Sequence, residues 1–322
     1  LIALNALKNF DITKNLPLNT LFELNEKKNK ITINDLGYLI GPILNAGGRL
    51  GKSKYATELL SSNSDEIIND RSNSLIKLNN KRKEIENLIL NDIDFQKIER
   101  ENKEVIIYYN PNVNEGLIGI IAARLKDYFN KPSIVITASN NLLKGSARSI
   151  YNYNIGLVIK NSLDKKIIIS GGGHNMAAGF TLKKDDLKKF KDYILKDFLN
   201  SGTSNNNKFL YEAEVSSLAF NQDFYDEIRK LEPFGNGNAV PTFLIKNLKI
   251  VKATVLNDKH ISLVLKSKTG FSIKSISFNT INTKLGEYLI NYKNSISVLG
   301  QINENIWNNK KTLQLTIRDI IA

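Results

Sequence analysis

The sequence predicts an α/β multidomain protein in which a helical N-terminal part leads through one long helix into a compact α/β domain, followed by a C-terminal β-barrel. Three observations predict it. Apolar residues recur at helical spacing between Ile2 and Ile93, strand-like and helix-like segments alternate from Glu104 to Asn200, and beyond a polar stretch at Ser201 to Lys208 short alternating strands dominate. With 322 residues and 42% hydrophobic content, the chain has apolar material for two or three cores.

From Ile2 to about Ser61 the pattern is of helices with short connections. Ser64 to Ile93 then reads as one helix, with Ile67, Ile68, Leu75, Ile76, Leu78, Ile85, Leu88 and Ile89 at helical spacing among Lys, Arg, Asn and Glu. A helix of that length commonly bridges domains. In the next region Val105–Tyr109, Ser133–Thr137, Leu142–Ile150 and Lys166–Ser170 read as strands, and Gly116–Phe129, Ile155–Ser162 and Asp185–Asn200 as helices. After the polar linker, His260–Lys266 sets Ile261, Leu263 and Leu265 against Ser262, Val264 and Lys266. Thr312–Arg318 alternates in the same way around Leu313, Leu315 and Ile317. Several short strands in so small a region suggest a small barrel, for which the OB-fold is the natural candidate.

Composition narrows the chemistry. The absence of cysteine excludes disulfides and thiolate metal sites, and His174 and His260 are the only histidines, so a bound metal would rest on carboxylates. No apolar run approaches the roughly 20 residues of a membrane span and Leu1–Phe10 is no signal peptide, so the expectation is a cytoplasmic chain with no membrane partner. The formal charge of +13 favours a polyanionic partner, although abundant Lys, Asn and Ile would equally follow from an AT-rich genome. The only methionine is Met176, and the chain opens inside an amphipathic helix, which suggests a piece of a longer protein.

Three motifs can carry chemistry. Gly171-Gly172-Gly173-His174, followed by Asn175, Met176, Ala177, Ala178 and Gly179, would let backbone N–H groups approach an anion while His174 donates to it. The segment would also suit a tight strand-to-helix turn with His174 packed inside; the small residues after it favour binding. In Lys144-Gly145-Ser146-Ala147-Arg148-Ser149, strand alternation puts Ser146 and Arg148 on one face, where a hydroxyl and a guanidinium suit a terminal phosphate better than a solvated strand end. Leu44-Asn45-Ala46-Gly47-Gly48-Arg49-Leu50 allows a sharp turn aiming Arg49 outward, or a helix cap carrying an incidental arginine.

In this order, and with Glu115-Gly116-Leu117-Ile118-Gly119-Ile120 and Ala123-Arg124-Leu125 between them, these motifs resemble the RecJ-type exonucleases of the DHH/DHHA1 phosphoesterase superfamily. The Gly-Gly-Gly-His segment also occurs in oligoribonucleases, cyclic-dinucleotide phosphodiesterases and alanyl-tRNA synthetases. Leu231-Glu232-Pro233-Phe234-Gly235-Asn236-Gly237-Asn238, Pro241-Thr242-Phe243, Lys259-His260-Ile261, Ile276-Ser277-Phe278-Asn279 and Leu313-Gln314-Leu315 resemble the RecJ OB domain and choose among them.

The resemblance implies residues 1–63 as the C-terminal part of a DHH catalytic domain, 64–98 as a connecting helix, 99–200 as a DHHA1-type substrate-binding domain and 201–322 as an OB-fold nucleic-acid-binding domain. It implies a 5′ to 3′ exonuclease on single-stranded DNA in recombination and repair, using two Mn²⁺ or Mg²⁺ ions, with a single-strand-binding protein or helicase as further partner. Asn45, Arg49, Ser146, Arg148, Ser149 and Gly171, Gly172, Gly173 and His174 would meet the 5′ phosphate and the scissile region. Lys144, Lys259 and Trp307 would line the strand's path, Trp307 either as a stacking platform or as ordinary barrel packing. Two departures stand out. Val113-Asn114 replaces a Trp-His pair common in the family, and the metal-holding Asp-His-His motif is absent, with Asp92-Ile93-Asp94 reading as a solvated helix end. No metal ligand is therefore expected within these residues, and the chain should bind without cutting. The rival readings are a DHH-family phosphodiesterase of short oligonucleotides or dinucleotides, and a non-catalytic single-strand-binding scaffold.

Overall fold

The computed structural model describes residues 2–27, 31–101, 104–202, 210–235, 237–281, 283–291, 294–307 and 310–321, without the side chains of residues 2–4, 8, 306 and 307. The chain divides into two units, residues 10–206 and residues 1–9 with 207–322. Helix α1 (Ile2–Asn9) belongs to the second.

The first unit begins with α2 (Leu16–Leu24), which Asn15 caps by accepting from the Leu18 N–H while Pro17 occupies its first turn. A π-helical turn, Asp35–Ile40, runs directly into α3 (Gly41–Arg49), and α4 (Lys54–Ser61) follows. The predicted long helix is α5 (Asp65–Asn91). Its buried stripe differs from the apolar periodicity: Ile67 and Leu88 face solvent, whereas Ile68, Ser72, Leu75, Asn79 and Glu86 are buried. Those positions step by four and three along one helix face, so the stripe turns from apolar to polar toward its C-terminal end. Leu21, Phe22, Ile40, Ile43, Leu59 and Leu75 form the core here.

Of the two readings of Asn45–Arg49, a sharp turn or a helix end, the structure has the helix end: these residues are the last part of α3. The reversal comes after it, at Gly51 with φ +79°, and it brings the Lys52 N–H to the Gly47 carbonyl at 2.7 Å. Glycine is needed at 47 for space, since a Cβ there would lie 2.6 Å from the Lys52 carbonyl oxygen.

After α6 (Phe95–Glu101) the chain builds a five-stranded sheet from β1 (Ile106–Tyr109), β2 (Ser133–Ser139), β3 (Leu142–Arg148), β4 (Ser170–His174) and β5 (Ala177–Leu182), in the order β1-β2-β3-β5-β4. Only the β1–β2 pair is parallel. On one face, Ile134, Ile136, Leu143, Ala147, Phe180 and Leu182 pack against α8 (Ile155–Asp164) and α9 (Leu187–Asn200) through Ile155, Ile159, Phe190 and Ile194. On the other face α7 (Ile118–Phe129) lies over β2 and β3 and reaches β1, where Ile106 and Val135 meet Ile118, Ile121 and Leu125. The part of that face over β5 and β4, with the Lys144 end of β3, is left open, so that Lys144, Gly179, Gly172 and His174 are exposed while Ser146 and Arg148 are half-buried beside α7.

This corrects the reading of the glycine motif. Residues 166–169 are not a strand, and Gly171–His174 is not a turn but the sheet's edge strand, paired with β5 through a hairpin at Asn175 and Met176. None of the three glycines takes a positive φ. Two of them are required by close packing: a Cβ on Gly171 would meet Ile159 of α8 at 2.9 Å and one on Gly173 would meet the Ala177 carbonyl oxygen of β5 at 2.3 Å, while α8 itself needs Gly156, whose Cβ would meet the His174 carbonyl oxygen at 2.7 Å.

The second unit contains β6 (Ala213–Glu214), α10 (Gln222–Arg229), β7 (Phe243–Leu256), β8 (His260–Ser267), β9 (Ser272–Ser277), α11 (Lys284–Asn291), β10 (Ser295–Trp307) and β11 (Lys310–Ile321). Strands β7-β8-β9-β11-β10 close into a barrel through β10–β7 pairing, with β9–β11 its one parallel contact and β6 added beside β7. Ile261, Leu263 and Leu265 point inward as their alternation requires, with Leu248, Ile273, Val298, Leu315 and Ile317. Five strands in this order, with a helix between the third and fourth, form the predicted OB-type barrel. In the entry loop the Asn238 amide donates to the carbonyls of Leu231 and Pro233, which organises the Leu-Glu-Pro-Phe segment.

Candidate nucleic-acid interface

The chemistry-bearing strand of the first unit is β3. Its inward positions are Leu143, Gly145 and Ala147, and Gly145 has no side chain because the Phe180 ring lies over it: a Cβ would come within 2.0 Å of that ring. Lys144, Ser146 and Arg148 therefore face the other way, where Lys144 is exposed and Ser146 and Arg148 lie half-buried between α7 and the open part of the sheet. Antiparallel register sets Arg148 beside Ala177 and Ala177 beside His174, and Ser146 beside Gly179 and Gly179 beside Gly172. Two rows thus cross the open face, each with a polar side chain at β3 and a small residue at β5. His174 closes the first row at the exposed edge. At Gly172, which closes the second, a Cβ would meet nothing within 4 Å.

The Arg148 Nη1 donates to Ser146 Oγ at 3.2 Å and to the Ala147 carbonyl at 2.9 Å. The first turn of α7 abuts this pair, since a Cβ on Gly119 would lie 3.0 Å from Arg148 Nη2 and 3.2 Å from Ser146 Oγ. Arg49 approaches from α3. Its backbone crosses Gly116 so closely that a Cβ there would be 2.2 Å from the Arg49 carbonyl oxygen, and its Nη1 donates to the Gly116 carbonyl at 3.1 Å.

Burial pushes the Arg148 guanidinium below the ordinary arginine range, and the Arg49 cation pushes it further. Arg49 is lowered first by burial and then by Arg82, with Glu86 opposing. Three arginines thus feel one another in pairs, Arg148 with Arg49 and Arg49 with Arg82. The lowering leaves Arg49 and Arg148 protonated at neutral pH, so they make a field of fixed positive charge suited to phosphate oxygens.

Arg82 and Glu86 were missed by reasoning from sequence. They lie on the buried stripe of α5, hidden there within Lys81-Arg82-Lys83, which reads as a solvated charge run. Glu86 accepts from Arg82 Nη1 at 3.0 Å and from Arg124 Nε at 2.7 Å, and Arg82 Nη2 donates to Asn79 at 3.0 Å. Among the described residues the buried Arg82 Nε has no hydrogen-bond partner. Arg82 and Arg49 line a pocket of about 270 Å³ with Gly37, Gly41, Pro42 and Asn45.

The other expected residues divide. Asn45 lines that pocket, but Ser149 does not join the group: it is 1% exposed, and its hydroxyl donates to the Tyr153 carbonyl at 2.6 Å, which fixes the loop after β3. Lys144 pairs with Glu115 at 2.8 Å, and Ser139 donates to the same carboxylate oxygen. Of the replaced Trp-His pair, Val113 is buried in the core beneath α7 and Asn114 accepts from the Gly116 N–H. Asp94 caps α6 by accepting from the Lys97 N–H, as a helix-end residue does.

On the barrel, Lys259 lies exposed in the tight turn between β7 and β8, and the side chain of Trp307 lies outside the described residues. A shallow groove of about 270 Å³ runs past Lys274, Asn305, Lys310, Thr312 and Gln314. It crosses β9, β10 and β11 beside the loop joining β10 to β11, one of the positions from which OB barrels bind oligonucleotides. No group of three or more His, Asp or Glu side chains among the described residues could hold a metal ion, and no described helix is long and apolar enough to cross a membrane.

Comparison with known proteins agrees with this architecture. Residues 102–200 match the DHHA1 domain and residues 211–319 the RecJ OB domain. The chain is 31% identical to the single-stranded-DNA-specific exonuclease RecJ of Haemophilus influenzae over 91% of this chain and 52% of that protein. It is 28% identical to RecJ of Bacillus subtilis over 99% and 41%. It therefore spans about half the length of the curated relatives it matches. The crystal structure of RecJ in complex with Mn²⁺ from Thermus thermophilus superposes with a TM-score of 0.78 at 21% identity, covering 96% of this chain and 44% of that one.

Proposed function

The chain belongs to the RecJ family, and from that premise we propose that it holds single-stranded DNA by its 5′ end for stepwise 5′ to 3′ hydrolysis. The observation that carries this reading is the convergence of Ser146, Arg148 and Arg49 at the rim of an open, small-residue sheet face. A terminal phosphate has three non-bridging oxygens and more charge against the two of an internal diester, so a site of one hydroxyl and two guanidiniums distinguishes a phosphorylated end. The strand would continue across Gly179 and Gly172, whose lack of side chains lets a sugar-phosphate backbone lie close to the sheet, with His174 as an edge donor. On the barrel, Lys259, Lys274 and Lys310 would follow the backbone without reading sequence.

The cut itself would be metal-dependent, and the solved Thermus thermophilus RecJ structures hold Mn²⁺ or Mg²⁺. The described residues offer no ligand set for such ions, and the role we assign to them is the holding of substrate. The reaction would belong to DNA recombination and repair in the cytoplasm, where a single-strand-binding protein or a helicase would present the strand.

Binding of 5′-phosphorylated and 5′-hydroxyl single-stranded DNA at one fixed salt concentration tests the proposal, with Arg148→Ala alongside. A charge-assisted contact of about 1.5–3 kcal/mol corresponds to a preference for the phosphorylated end of roughly 10-fold to 150-fold, which the variant should lose. Equal affinity of the wild-type chain for both ends would overturn the reading.

A further inference from the structure

The outer face of the barrel breaks the alternation that shapes its core. Antiparallel register sets Leu256 of β7 beside His260 of β8, and one step beyond the Ile261–Ser277 pair it sets His260 beside Phe278, at the end of β9. Ile261 and Ser277 are fully buried and point inward, so Leu256, His260 and Phe278 form one outward row. The next two outward rows hold Thr254, Ser262 and Ile276, then Lys252, Val264 and Lys274. A solvated face should be polar here, yet Leu256, Val264, Ile276 and Phe278 are apolar, and none of them belongs to the barrel's core cluster. Ile276 is covered by its neighbours, whereas Leu256 is 40% and Phe278 51% exposed.

The Phe278 ring is held in place. It meets the His260 imidazole edge to face, with centroids 5.3 Å apart and planes at 77°. His260 is anchored in turn, because the Asn279 N–H donates to its Nδ1 at 2.9 Å. A ring already held loses little freedom when a flat ligand lies on it. The surrounding charge indicates what that ligand is. Lys259 lies in the turn at one end of the row, and Lys252 and Lys274 lie two rows along. Among the described residues the ion-paired lysines of the barrel strands are Lys246 and Lys311, so these three keep their charge free for phosphates. Lys274 also opens the groove past Asn305, Lys310, Thr312 and Gln314, which makes the apolar corner and the groove continuous on one face. Two half-exposed apolar side chains and an imidazole fall far short of the roughly 800 Å² that a protein partner covers on each side, but they match the face of a base.

We propose that Phe278, held by His260, is the stacking platform for one base of a single strand on the barrel, with Lys259 and Lys274 meeting the phosphates to either side. Phe278 touches the ligand, and His260 is a positioning residue. The inference deepens the reading of the barrel as a holder of single-stranded DNA and rests on it. Every base has a π-face, so the platform accepts any sequence.

The test is fluorescence anisotropy of the full chain with a labelled 5′-phosphorylated oligothymidylate, alongside a strand of equal length that is abasic beyond its first few nucleotides. Phe278→Leu keeps the apolar bulk but not the flat ring. It should weaken the oligothymidylate by about 5-fold to 150-fold, the contribution of one stacked base, and leave the abasic strand within about two-fold. Phe278→Trp should bind at least as tightly as the wild-type chain, and His260→Ala should give a smaller loss confined to the strand with bases. The slope of log affinity against log salt should stay unchanged in Phe278→Leu and fall by about 0.7 in Lys274→Ala, which loses a phosphate contact. A loss under about two-fold in Phe278→Leu, an equal loss on both strands, or equal binding of the two strands by the wild-type chain overturns the platform. A wild-type chain that binds the oligothymidylate no more tightly than a phosphorylated dinucleotide would take the barrel out of the strand's path, and the platform with it. The terminal-phosphate reading is judged separately: absence of a 5′-phosphate preference in the wild-type chain would remove that reading and leave the result on Phe278 in place.

Discussion

Replacing Glu86 with glutamine should destabilise the first unit far more than a change of one atom suggests. Glu86 is 5% exposed, and each of its carboxylate oxygens accepts from a different arginine, Arg82 at 3.0 Å and Arg124 at 2.7 Å. An amide keeps one acceptor and turns an N–H₂ toward the other guanidinium, donor against donor. The better outcome keeps the oxygen on Arg82 and lets Arg124, whose side chain is 54% exposed, swing into water. The Arg124 contact then counts for less than about 1 kcal/mol because solvent screens it. On the Arg82 side a charge-assisted bond becomes a neutral-acceptor bond beside a buried cation, a loss of about 1.5–2 kcal/mol. The sum is about 2–3 kcal/mol, or a fall in melting temperature of roughly 5–10 °C for a unit of this size. Thermal melting followed by helical circular dichroism at 222 nm measures it. A shift under about 2 °C would show that the carboxylate is not needed to hold Arg82. The paired substitution Arg82→Met with Glu86→Met should cost less than Glu86→Gln alone, because it removes both charges together.

Gly145→Ala should destabilise by about 1–3 kcal/mol, because its methyl would enter the Phe180 ring, itself 4.5 Å from that of Phe190; a melting temperature within 1 °C of wild type would show that the ring moves aside freely. Burial, and then the Asp197 carboxylate that accepts its hydroxyl at 3.1 Å, raise the Tyr153 phenol above its ordinary value. Below a pH of about 10 both folded and unfolded chains keep that proton; above it only the unfolded chain releases it, so this stability is lost as pH rises past about 10. Tyr153→Phe should cost about 1 kcal/mol at pH 7 and lose less stability than wild type between pH 9 and 11, and parallel melting curves across that range would refute the assignment.

The organisation of the chain was largely legible in its sequence, because hydrophobic period is a local signal. Helical spacing marked α5, alternation marked β8 and β11, and the facing of Ser146 and Arg148 to one side followed from the two-residue repeat of a strand. The motif order was enough to point to the family that the domain matches at 102–200 and 211–319 support. Local pattern could not show what a glycine is for. The triplet at 171–173 looks like a turn because glycine permits one, whereas in the structure it is an edge strand in which Gly171 makes room for α8, Gly173 makes room for β5 and Gly172 leaves the outer face bare. Ser149 had the right chemistry but is one residue out of phase with Ser146 and Arg148, and so faces the core.

What the sequence determined by itself was the set of elements, the charge and the motifs, since each depends on neighbours a few residues apart. Only the tertiary structure decided which half of the sheet stays uncovered, and that Arg82, Glu86 and Arg124 meet. Those outcomes depend on pairings between residues tens of positions apart, where the same arginine is a solvated charge or a buried ligand depending on what packs beside it.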